Sequence, residues 1–480
     1  MKKRLACGMG LMILICGLAG CAPAQKEQAP EMQESGAAEG FQREKEDLAK
    51  DESEKETEQA NLQTETPIQK AYEEILEHGT SEFLGNYPID EAFLDWFLAS
   101  YGEETLERLT DKDLSEERGQ ERWYELTGNT IHVLWLMYCR DMGINQQELE
   151  NVYWMDCASE ERTVLDFAGD FNFSEGWGTM RHLDSQPNGI YDCFSGELLS
   201  EMQSADIMVI NNEFTYSNRG TPLEGKSYTF RANPERVKLL EAFGTDIVSL
   251  ANNHVYDYGE EALIDTLEIL EGSGVPYVGA GRNLEEAKKI VYFIANGRKI
   301  AITAASQIER SSNYTKEATE DSAGVLKTLN PDKYVEVIKT AEENSDIVIA
   351  YVHWGTEHQS WYGADQESLA DAFVEAGVDV IIGGHTHCLQ GMAYKNGVPI
   401  LYSLGNFWFN QKTLDTGLAQ VLIEKDGSIG LRFLPCIQQN YKTVLVTGET
   451  EKQRILDYMK SISSGVSIDE EGYVRDLATD

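Results

Sequence analysis

A pair of histidines after an apolar segment is the most chemically informative feature of the sequence. Residues 378–382 are almost entirely apolar, and the run ends at a Gly-Gly pair. This pattern predicts a buried strand that enters a tight turn. The turn then presents His385 and His387, and residues two apart on extended backbone point the same way. Both imidazoles are therefore expected to face one point in space, as part of a metal-binding site.

Further groups of Asp, Asn, Glu and His follow other apolar segments. In α/β folds, sites gather at the carboxyl ends of strands, and each of these groups begins where a predicted strand ends. A lone Asn-His or Gly-Asp pair carries little information, whereas five or six such groups predict one shared site. The groups are Asp170 to Asn172, Asn211 to Glu213, Asn252 to His254 with Asp257, His353 to His358, His385 to His387, and Ser403 to Asn406.

The side chains in these groups favour metal-assisted hydrolysis. Imidazole, carboxylate and amide oxygen suit Mn, Zn, Fe or Mg rather than Cu(I). Two such metals about 4 Å apart need a bridging carboxylate, and they stabilise both oxygens of an in-line displacement at phosphorus. A histidine that binds no metal can act as a general acid or contact the substrate. The expected cofactor is therefore one or more divalent ions, Mn, Zn or Fe.

The elements that must position these side chains begin near residue 163. From there, strand-like segments alternate with amphipathic helical segments, which is typical of an α/β sandwich. The predicted strands are 163–168, 207–210, 247–250, 276–278, 299–304, 347–352, 378–382, 400–403 and 418–423. The predicted helices between them are 234–243, 260–273, 331–344 and 366–376.

Taken in order, these motifs resemble the CapA family of poly-gamma-glutamate capsule synthesis proteins. The resemblance covers about residues 163–425, more than half of the chain. That family is similar to the calcineurin-like metallophosphatases, so the resemblance implies a four-layer sandwich with two central β-sheets flanked by helices. The motifs that carry it are Asp170, Asn212-Glu213, Ser249 to Gly259, Gly279 to Gly281, His353 to Gly355, Gly384 to Gln390, and Tyr402 to Asn406 with the following Phe.

The resemblance also implies a role for individual residues. His254 matches the histidine that contacts substrate without binding metal, and it is the expected catalytic residue. Glu213 falls where an aspartate bridges the two metals of the phosphatases. The implied metal ligands are Asp170, Glu213, Asn253, His353, His385 and His387. For Asn253, a role as a turn residue is the alternative.

Two positions depart from the phosphatase pattern. The phosphatases have Asp-x-His where this chain has Asp170-Phe-Asn172, so one strong ligand is missing. They have Gly-Asp-x-x-Asp where this chain has Asn211-Asn-Glu213-Phe. These changes look typical of CapA proteins. They fit a single metal, a weakly loaded site or a different hydrolytic reaction.

Several nearby residues are additional candidates for the site. Asp257, Glu357 and His358 offer replacement oxygen or nitrogen ligands, although His358 fits a surface position better than a ligand position. Glu357 is the strongest of these because it lies four residues beyond His353. Asn172 and Asn406 complete the candidate set, and Asn406 is alternatively a loop residue that braces the site.

The N-terminus reads as a bacterial lipoprotein signal. Lys2-Lys3-Arg4 precedes an apolar segment that is too short for a permanent membrane helix. The segment ends in Leu-Ala-Gly-Cys21, which resembles a lipobox, so residues 1–21 are the expected signal peptide and Cys21 the lipidation site. The expected location is outside the cytoplasm, anchored to the cell membrane. Residues 22–66 are rich in Glu, Lys, Gln and Ala and predict a disordered linker.

The remaining chain divides into three predicted parts. Residues 67–160 have apolar residues at helical spacing, with Asp90 as a helix cap, and predict a helical module. The sequence does not indicate the function of this module. Residues 161–446 form the CapA-like domain. Residues 447–480 predict a helix packed on the surface and an acidic tail that frays. The cysteines left after removal of the signal are an odd, scattered set without a CxxC motif, which argues against a disulfide framework.

Composition excludes one class of partner. The chain carries 82 Asp and Glu against 40 Lys and Arg, a net charge of −42, so nucleic acid is not expected as a ligand. Two functions remain. The first is a lipid-anchored metallohydrolase that acts in synthesis, export or anchoring of a poly-gamma-glutamate-type capsule, with an anionic envelope polymer and capsule synthase subunits as partners. The second is a non-catalytic member of the fold that binds the polymer or acts as a scaffold.

Overall fold

The computed structural model describes residues 66–77, 84–110, 119–309 and 314–478. The predicted signal peptide, its Cys21 and all of the predicted linker except residue 66 lie outside the described residues. Among the residues that are described, no helix combines the length and the apolar character needed to cross a membrane.

The helices form two groups along the chain: the first precedes the strands, and the second alternates with them. The first group is α1 (Pro67–Glu77), α2 (Glu91–Tyr101), α3 (Glu103–Leu109), α4 (Gly119–Thr127) and α5 (Ile131–Met142). The second is α6 (Gly178–Ser185), α7 (Gly196–Ser204), α8 (Leu239–Ala242), α9 (Glu260–Ser273), α10 (Leu284–Ala287), α11 (Asp332–Glu343), α12 (Ala364–Glu375) and α13 (Glu449–Ile462).

Strands begin after the first helices and continue to the C-terminus. In chain order they are β1 (Val152–Trp154), β2 (Arg162–Phe171), β3 (Ile207–Asn212), β4 (Thr215–Tyr216), β5 (Arg231–Ala232), β6 (Ile247–Ser249), β7 (Tyr277–Val278), β8 (Ala280–Gly281), β9 (Val291–Ala295), β10 (Arg298–Ser306), β11 (Gly324–Val325), β12 (Ile347–His353), β13 (Val380–Gly384), β14 (Gln390–Lys395), β15 (Val398–Ser403), β16 (Asn406–Trp408), β17 (Leu414–Glu424), β18 (Ile429–Gln439), β19 (Lys442–Leu445), β20 (Val466–Ile468) and β21 (Tyr473–Asp476).

Seventeen of these strands form two large sheets, and the other four form two short pairs, β4 with β5 and β8 with β11. One has seven strands in the order β1-β9-β10-β12-β13-β15-β14. The other has ten strands in the order β20-β21-β18-β17-β2-β3-β6-β7, with β16 beside β2 and β19 beside β18. In the seven-stranded sheet β10, β12, β13 and β15 are parallel, and in the ten-stranded sheet β2, β3, β6 and β7 are parallel beside the antiparallel β17 and β18. The parallel strands read as continuous apolar runs because both of their faces are buried.

The sheets lie face to face, and helices cover both outer faces. Along β3, Val209 belongs to the core between the sheets, whereas Met208 belongs to the core beneath α6, α7 and α9. Along β12, Ile349 lies between the sheets and Ala350 packs with α11 and α12. This alternation with a period of two residues produces four layers. The four-layer sandwich expected from the sequence is thereby confirmed.

The first five helices have a core of their own. Phe93, Phe97, Trp123 and Trp135 are among its buried rings. The Asp90 side chain accepts a hydrogen bond from the amide of Phe93 at 3.0 Å, as the predicted helix cap requires. After α5 the chain forms a short 3₁₀ helix, Gln146–Leu149, and then β1, which lies within the predicted helical module but pairs with β9 of the sandwich.

Arg298 joins the helical segment to the sandwich. Its guanidinium, 5% exposed, bonds both carboxylate oxygens of Glu121 on α4 at 2.9 and 3.1 Å and the carbonyl of Lys425 at 3.1 Å. It also lies 4.2 Å from the ring of Tyr124. One side chain therefore connects α4 with both sheets.

We expect Arg298→Met to loosen the helical segment from the sandwich. The loss of charged hydrogen bonds should lower the free energy of unfolding by about 1–3 kcal/mol, toward the low end because Glu121 is partly exposed. The measurement is thermal unfolding combined with limited trypsin proteolysis. Arg475→Met is the control because Arg475 is exposed and its guanidinium lies as far as 4.0 Å from Asp469, its acidic partner. Equal cleavage of both variants across α1–α5 would contradict the expectation.

The C-terminal residues differ from the sequence prediction. Instead of fraying, the tail forms β20 and β21, which pair with each other and, through β21, with β18. Helix α13 packs on the surface as expected: Ile455, Leu456 and Met459 on one face are buried, while Asp457 and Lys460 are exposed. β20 and β21 were not predicted because exposed polar residues interrupt their apolar pattern.

Candidate metal centre

Strand register brings the predicted groups to one edge of the sandwich. In the ten-stranded sheet, Asp170 at the end of β2 lies beside Asn211 near the end of β3. In the seven-stranded sheet, His353 at the end of β12 lies beside Gly384 at the end of β13. Because parallel strands end together, each sheet contributes a row of polar side chains at the same edge.

Asp170 is fully buried at the end of β2. Its Oδ1 accepts a hydrogen bond from Asn211 Nδ2 at 2.7 Å. Its Oδ2 accepts no hydrogen bond from any described residue and lies 3.5 Å from His387 Nδ1. The backbone approach is tight, because a Cβ on Gly384 would lie 3.1 Å from Asp170 Oδ1. Glycine before the histidine pair therefore leaves room for the carboxylate.

Glu213 is a second buried acid of the group. It follows β3, it is fully buried, and neither carboxylate oxygen accepts a hydrogen bond from the described part of the chain. Its Oε1 lies 3.6 Å from His353 Nε2 and 3.9 Å from His254 Nε2. Burial, together with the nearby Asp170 carboxylate, raises the pKa of Glu213 well above its usual value. A cation beside Glu213 would stabilise its charged carboxylate and lower this pKa again.

His353 lies at the centre of the cluster. Its Nε2 is 2.8 Å from Asn253 Oδ1 and 3.2 Å from His385 Nδ1. Burial, together with the neighbouring His385 and His387, lowers the pKa of His353 well below its usual value. The ring is therefore neutral at pH 7, which is the state that binds a metal.

The histidine pair lies in a turn rather than on extended backbone. His385 has φ +95° and His387 has φ +57°, so the expectation that extended geometry aligns their rings is wrong. Positive φ costs energy for residues other than glycine, and such strain concentrates at functional sites. The turn nevertheless brings the two ring centroids to 6.2 Å from each other. Thr386 stabilises it through hydrogen bonds to Ser403 Oγ and the Cys388 carbonyl, both 2.8 Å.

His387 is positioned by two neighbours. Its Nδ1 is 2.8 Å from Asn406 Oδ1 and 3.5 Å from Asp170 Oδ2. Burial alone lowers the pKa of His387, but the Asp170 carboxylate outweighs that effect and the pKa lies above its usual value. Asn406 is therefore placed as a brace on His387, the alternative that the sequence left open.

Two overlapping sets of ligand atoms could each hold a metal ion. Within each set the ligand atoms all lie within 4.8 Å of one another. Glu213 belongs to both sets, as a bridging carboxylate does. The first set is Glu213, His353 and His385, and the second is Asp170, Glu213 and His387. Asn253 adjoins the first set through its contact with His353.

The residues fit divalent metal ions on two grounds. Three buried carboxylate oxygens, one from Asp170 and two from Glu213, accept no hydrogen bond from the described residues. Leaving a buried charge without a partner costs about 3–5 kcal/mol, so a cation among them is the arrangement that removes the cost. In addition, the mixed imidazole and carboxylate donors suit Zn, Mn and Fe.

His254 faces the cluster from the side. It is buried, its Nε2 points toward Glu213 Oε1 at 3.9 Å, and its Nδ1 lies 2.7 Å from Asp257 Oδ2. Asn252 Oδ1 accepts hydrogen bonds from the amides of His254 and Val255, both at 3.0 Å, which fixes the turn. Burial lowers the pKa of His254, and Asp257 opposes the shift. Asp257 is thus placed behind His254, outside both ligand sets.

The other additional candidates are not brought into the ligand sets. Asn172 Oδ1 accepts a hydrogen bond from the Ser174 amide at 2.8 Å, which forms a local turn. Glu357 and His358 are exposed, and the His358 ring lies 6.0 Å from that of His387. The Glu357 charge still contributes to raising the pKa of Glu213, after burial and Asp170.

Three residues without an assigned role also adjoin the centre. Asn211 donates to Asp170, and its Nδ2 is 3.4 Å from His353 Nδ1. Its position two residues before Glu213 was the available signal. The Tyr351 hydroxyl is buried and forms no hydrogen bond with the described residues. Burial raises the pKa of Tyr351, and the nearby Asp170 and Glu213 carboxylates raise it further. Phe230 packs against His254 with ring centroids 4.2 Å apart. Neither aromatic residue had a sequence signal, because each reads as core.

Comparisons with known proteins identify the family of the chain. The family described as "Bacterial capsule synthesis protein PGA_cap" matches residues 164–411. The chain is 35% identical over 238 residues to "Capsule biosynthesis protein CapA" of Bacillus anthracis, which covers 48% of this chain and 57% of the relative. It is 36% identical over 207 residues to "PGA biosynthesis protein CapA" of Bacillus subtilis strain 168, covering 42% and 53%. The chain thus spans about half the length of the curated relatives it matches.

A solved structure, 5'-nucleotidase from Candida albicans SC5314, is similar with a TM-score of 0.33 and 11% identity, over 58% of this chain and 53% of that chain. The family match covers more than half of the chain and contains every one of the predicted ligands and His254. The protein therefore belongs to the bacterial capsule synthesis protein family PGA_cap, and the CapA resemblance of its motifs is confirmed.

Proposed function

We propose that this protein is a divalent-metal-dependent hydrolase of the bacterial cell envelope that acts on a poly-gamma-glutamate-type capsule polymer or its precursor. The observation that carries the proposal is the set of buried carboxylate oxygens on Asp170 and Glu213 that accept no hydrogen bond from the described residues, facing His353, His385 and His387. The names of the Bacillus relatives, capsule biosynthesis and PGA biosynthesis proteins, support the choice of polymer.

The two ligand sets differ in strength. The set with two histidines, His353 and His385, has Asn253 beside it. The other set lacks a histidine at position 172, where Asn172 uses its side-chain oxygen for a turn. We therefore propose one firmly held ion and a second, weaker one, with Mn, Zn or Fe as the metal. When bound, such ions supply Lewis-acid polarisation of the bond to be cleaved.

The protein side chains contribute orientation and a proton. His254 presents Nε2 toward the centre, while Asp257 fixes its Nδ1 at 2.7 Å. Because burial favours the neutral ring, His254 can accept or deliver a proton at Nε2 during bond cleavage. The rings of Phe230 and Phe409 pack against His254 and His387 and limit access of water to this side of the site.

A lipid anchor at Cys21 accounts for the proposed location. Acylation there would hold the protein on the outer face of the membrane, and residues 22–66 would form the tether. Envelope polymer and capsule synthase subunits are the proposed partners. Membrane release of a Cys21→Ser variant would support the anchor, and retention of that variant in the membrane would argue against it.

The test of the proposed function is elemental analysis of the full chain purified without chelator. We expect about one or two equivalents of Mn, Zn or Fe, followed by metal-dependent turnover of poly-gamma-glutamate or of a phosphodiester probe. Removal of metal with EDTA should abolish turnover, and adding it back should restore it. Absence of metal after soaking, with the fold intact, would contradict the proposal.

A second candidate function is polymer binding or scaffolding without catalysis. The observation that favours it is Asn172, which stands where the phosphatases have a metal-binding histidine and is engaged in a local turn. Metal content without turnover of any envelope polymer, combined with measurable polymer binding, would support this second function.

A further inference from the structure

The loop between β4 and β5, residues 217–230, covers the segment that carries His254. Leu223 donates its amide to the Asp257 carbonyl at 2.9 Å. Phe230 donates its amide to Asp257 Oδ2 at 2.6 Å and places its ring on His254. The loop therefore contacts the backbone, the carboxylate and the imidazole of this segment at once.

Lys226 lies at the centre of these contacts. Its side chain is 6% exposed, although lysine is almost never fully buried without a charged partner. Its ammonium donates to the Asn253 carbonyl oxygen. It also lies 2.7 Å from Asp257 Oδ1 and 3.2 Å from Glu309 Oε1. The Lys226 ammonium thus makes one hydrogen bond, to the Asn253 carbonyl, and two ion pairs, with Asp257 and Glu309.

The contacts of Lys226 connect residues that the proposed function uses separately. The Asn253 carbonyl belongs to the residue whose side-chain oxygen lies 2.8 Å from His353 Nε2. Asp257 is fully buried and uses one oxygen for His254 and the other for Lys226. A single ammonium thus fixes both the backbone of a metal-ligand candidate and the carboxylate that orients the catalytic candidate.

Thr315 strengthens this arrangement from a different element. Its hydroxyl donates to the same Asn253 carbonyl at 2.6 Å, and its amide donates to Glu309 Oε2 at 3.2 Å. Lys226 therefore closes a network in which Asn253 and Glu309 are each held twice. Such outer contacts orient metal ligands and typically change metal affinity by about 10- to 100-fold when removed.

We propose that Lys226 is a positioning residue of the metal centre, which sets the geometry of Asn253 and, through Asp257, of His254. Its consequence for catalysis rests on the proposed function, whereas its effect on the His254 ring does not. Replacement of Lys226 leaves Asp257 buried without its cation, so Asp257 and the Asn253 backbone both lose a fixed position.

The experiment compares Lys226→Met and Lys226→Gln in the full chain with Lys238→Met. Lys238 is the matched control because its ammonium, 75% exposed, pairs only with Glu235 three residues away among the contacts described. Mn²⁺ affinity is measured by titration calorimetry. The Nδ1–H signal of His254 is measured by NMR of ¹⁵N-histidine protein, without metal and with Zn²⁺, and assigned by its loss in His254→Gln.

We expect Lys226→Met to weaken Mn²⁺ binding by about 10- to 100-fold and to shift or remove the His254 Nδ1–H signal. Lys226→Gln, which keeps hydrogen-bond donors but not the charge, should give a smaller loss in both measurements. Lys238→Met should match the wild type. If Lys226→Met fails to fold, Lys226→Gln decides the question by the same two measurements.

Three outcomes would each overturn a claim. Wild-type Mn²⁺ affinity and an unchanged His254 signal in the Lys226 variants would overturn the positioning role. A wild-type protein that binds no Mn²⁺ would instead overturn the proposed metal centre, and the His254 signal alone would then decide the role of Lys226. A uniform loss of thermal stability, with both measurements unchanged, would show that Lys226 only holds the loop and would also overturn the inference.

Discussion

Glu213→Gln is expected to abolish the metal-induced stabilisation of the protein and to raise its stability when metal is absent. Glu213 belongs to both ligand sets, so no ion keeps its full complement of ligands without it. At a metal concentration 100 times the dissociation constant, binding stabilises the folded wild type by about 2.7 kcal/mol. The variant should lose most of this gain.

The opposite effect without metal follows from the surroundings of the carboxylate. Both Glu213 oxygens are buried and accept no hydrogen bond from the described residues, a state that costs about 1–3 kcal/mol per group and more for a charged one. Glutamine of similar shape carries no charge, and its amide can donate to the neighbouring Asp170. The metal-free variant should therefore unfold at a higher temperature than the metal-free wild type.

The pH dependence of this difference has a defined sign. The pKa of Glu213 in the folded protein is raised above its usual 4.5, so the metal-free wild type loses stability as pH rises from 4.5 through the raised value. Glutamine does not titrate. The advantage of Glu213→Gln is therefore expected at pH 7 and should vanish below about pH 4.5, where both side chains are neutral.

Thermal unfolding with and without Mn²⁺, at pH 7 and pH 4, is the measurement. Glu343→Gln is the control because it makes the same chemical change at an exposed position at the end of α11. A wild-type Mn²⁺ response in Glu213→Gln would remove Glu213 from the ligand set. Lower stability of the metal-free variant would show that the carboxylate has partners that the described contacts do not include.

Strand ends were the part of the site that the sequence predicted well, for a physical reason. A central parallel strand is apolar on both faces, and its pattern stops abruptly where polar residues begin. Asp170, His353 and His385 each occupy such a boundary in the structure. The limits of α9, Glu260 to Ser273, were predicted correctly because Gly259 and Gly274 flank an amphipathic run.

Edge strands and tertiary contacts could not be predicted from the apolar pattern of the sequence. β20 and β21 are short and partly exposed, so polar residues replace the apolar pattern that identifies a strand. Lys226 lies in an irregular loop, 27 residues from its partner Asn253, and no spacing rule connects them. Asp257 was a ligand candidate because carboxylates bind metals, and only the turn after His254 places it behind that ring.

His254→Gln is expected to lower kcat by about 10²- to 10⁴-fold while the metal content stays the same. The ring is not a member of either ligand set, and its Nε2 is 3.9 Å from the shared carboxylate of Glu213. It therefore lies beside the ions rather than on them. Because Asp257 holds its Nδ1, only Nε2 is available for proton transfer or for contact with the substrate.

The decisive evidence is a pattern across three variants measured on the same substrate, either bis(p-nitrophenyl) phosphate or poly-gamma-glutamate. His385→Ala should lose metal and activity together, since His385 belongs to a ligand set. His254→Gln should lose activity alone. His358→Gln should change kcat by less than about tenfold, because His358 is exposed and its ring lies 6.0 Å from that of His387. Loss of metal from His254→Gln would make His254 a ligand, and full activity of His254→Gln would exclude His254 from the chemistry. Only the expected pattern separates a histidine that binds the ions from one that transfers a proton beside them.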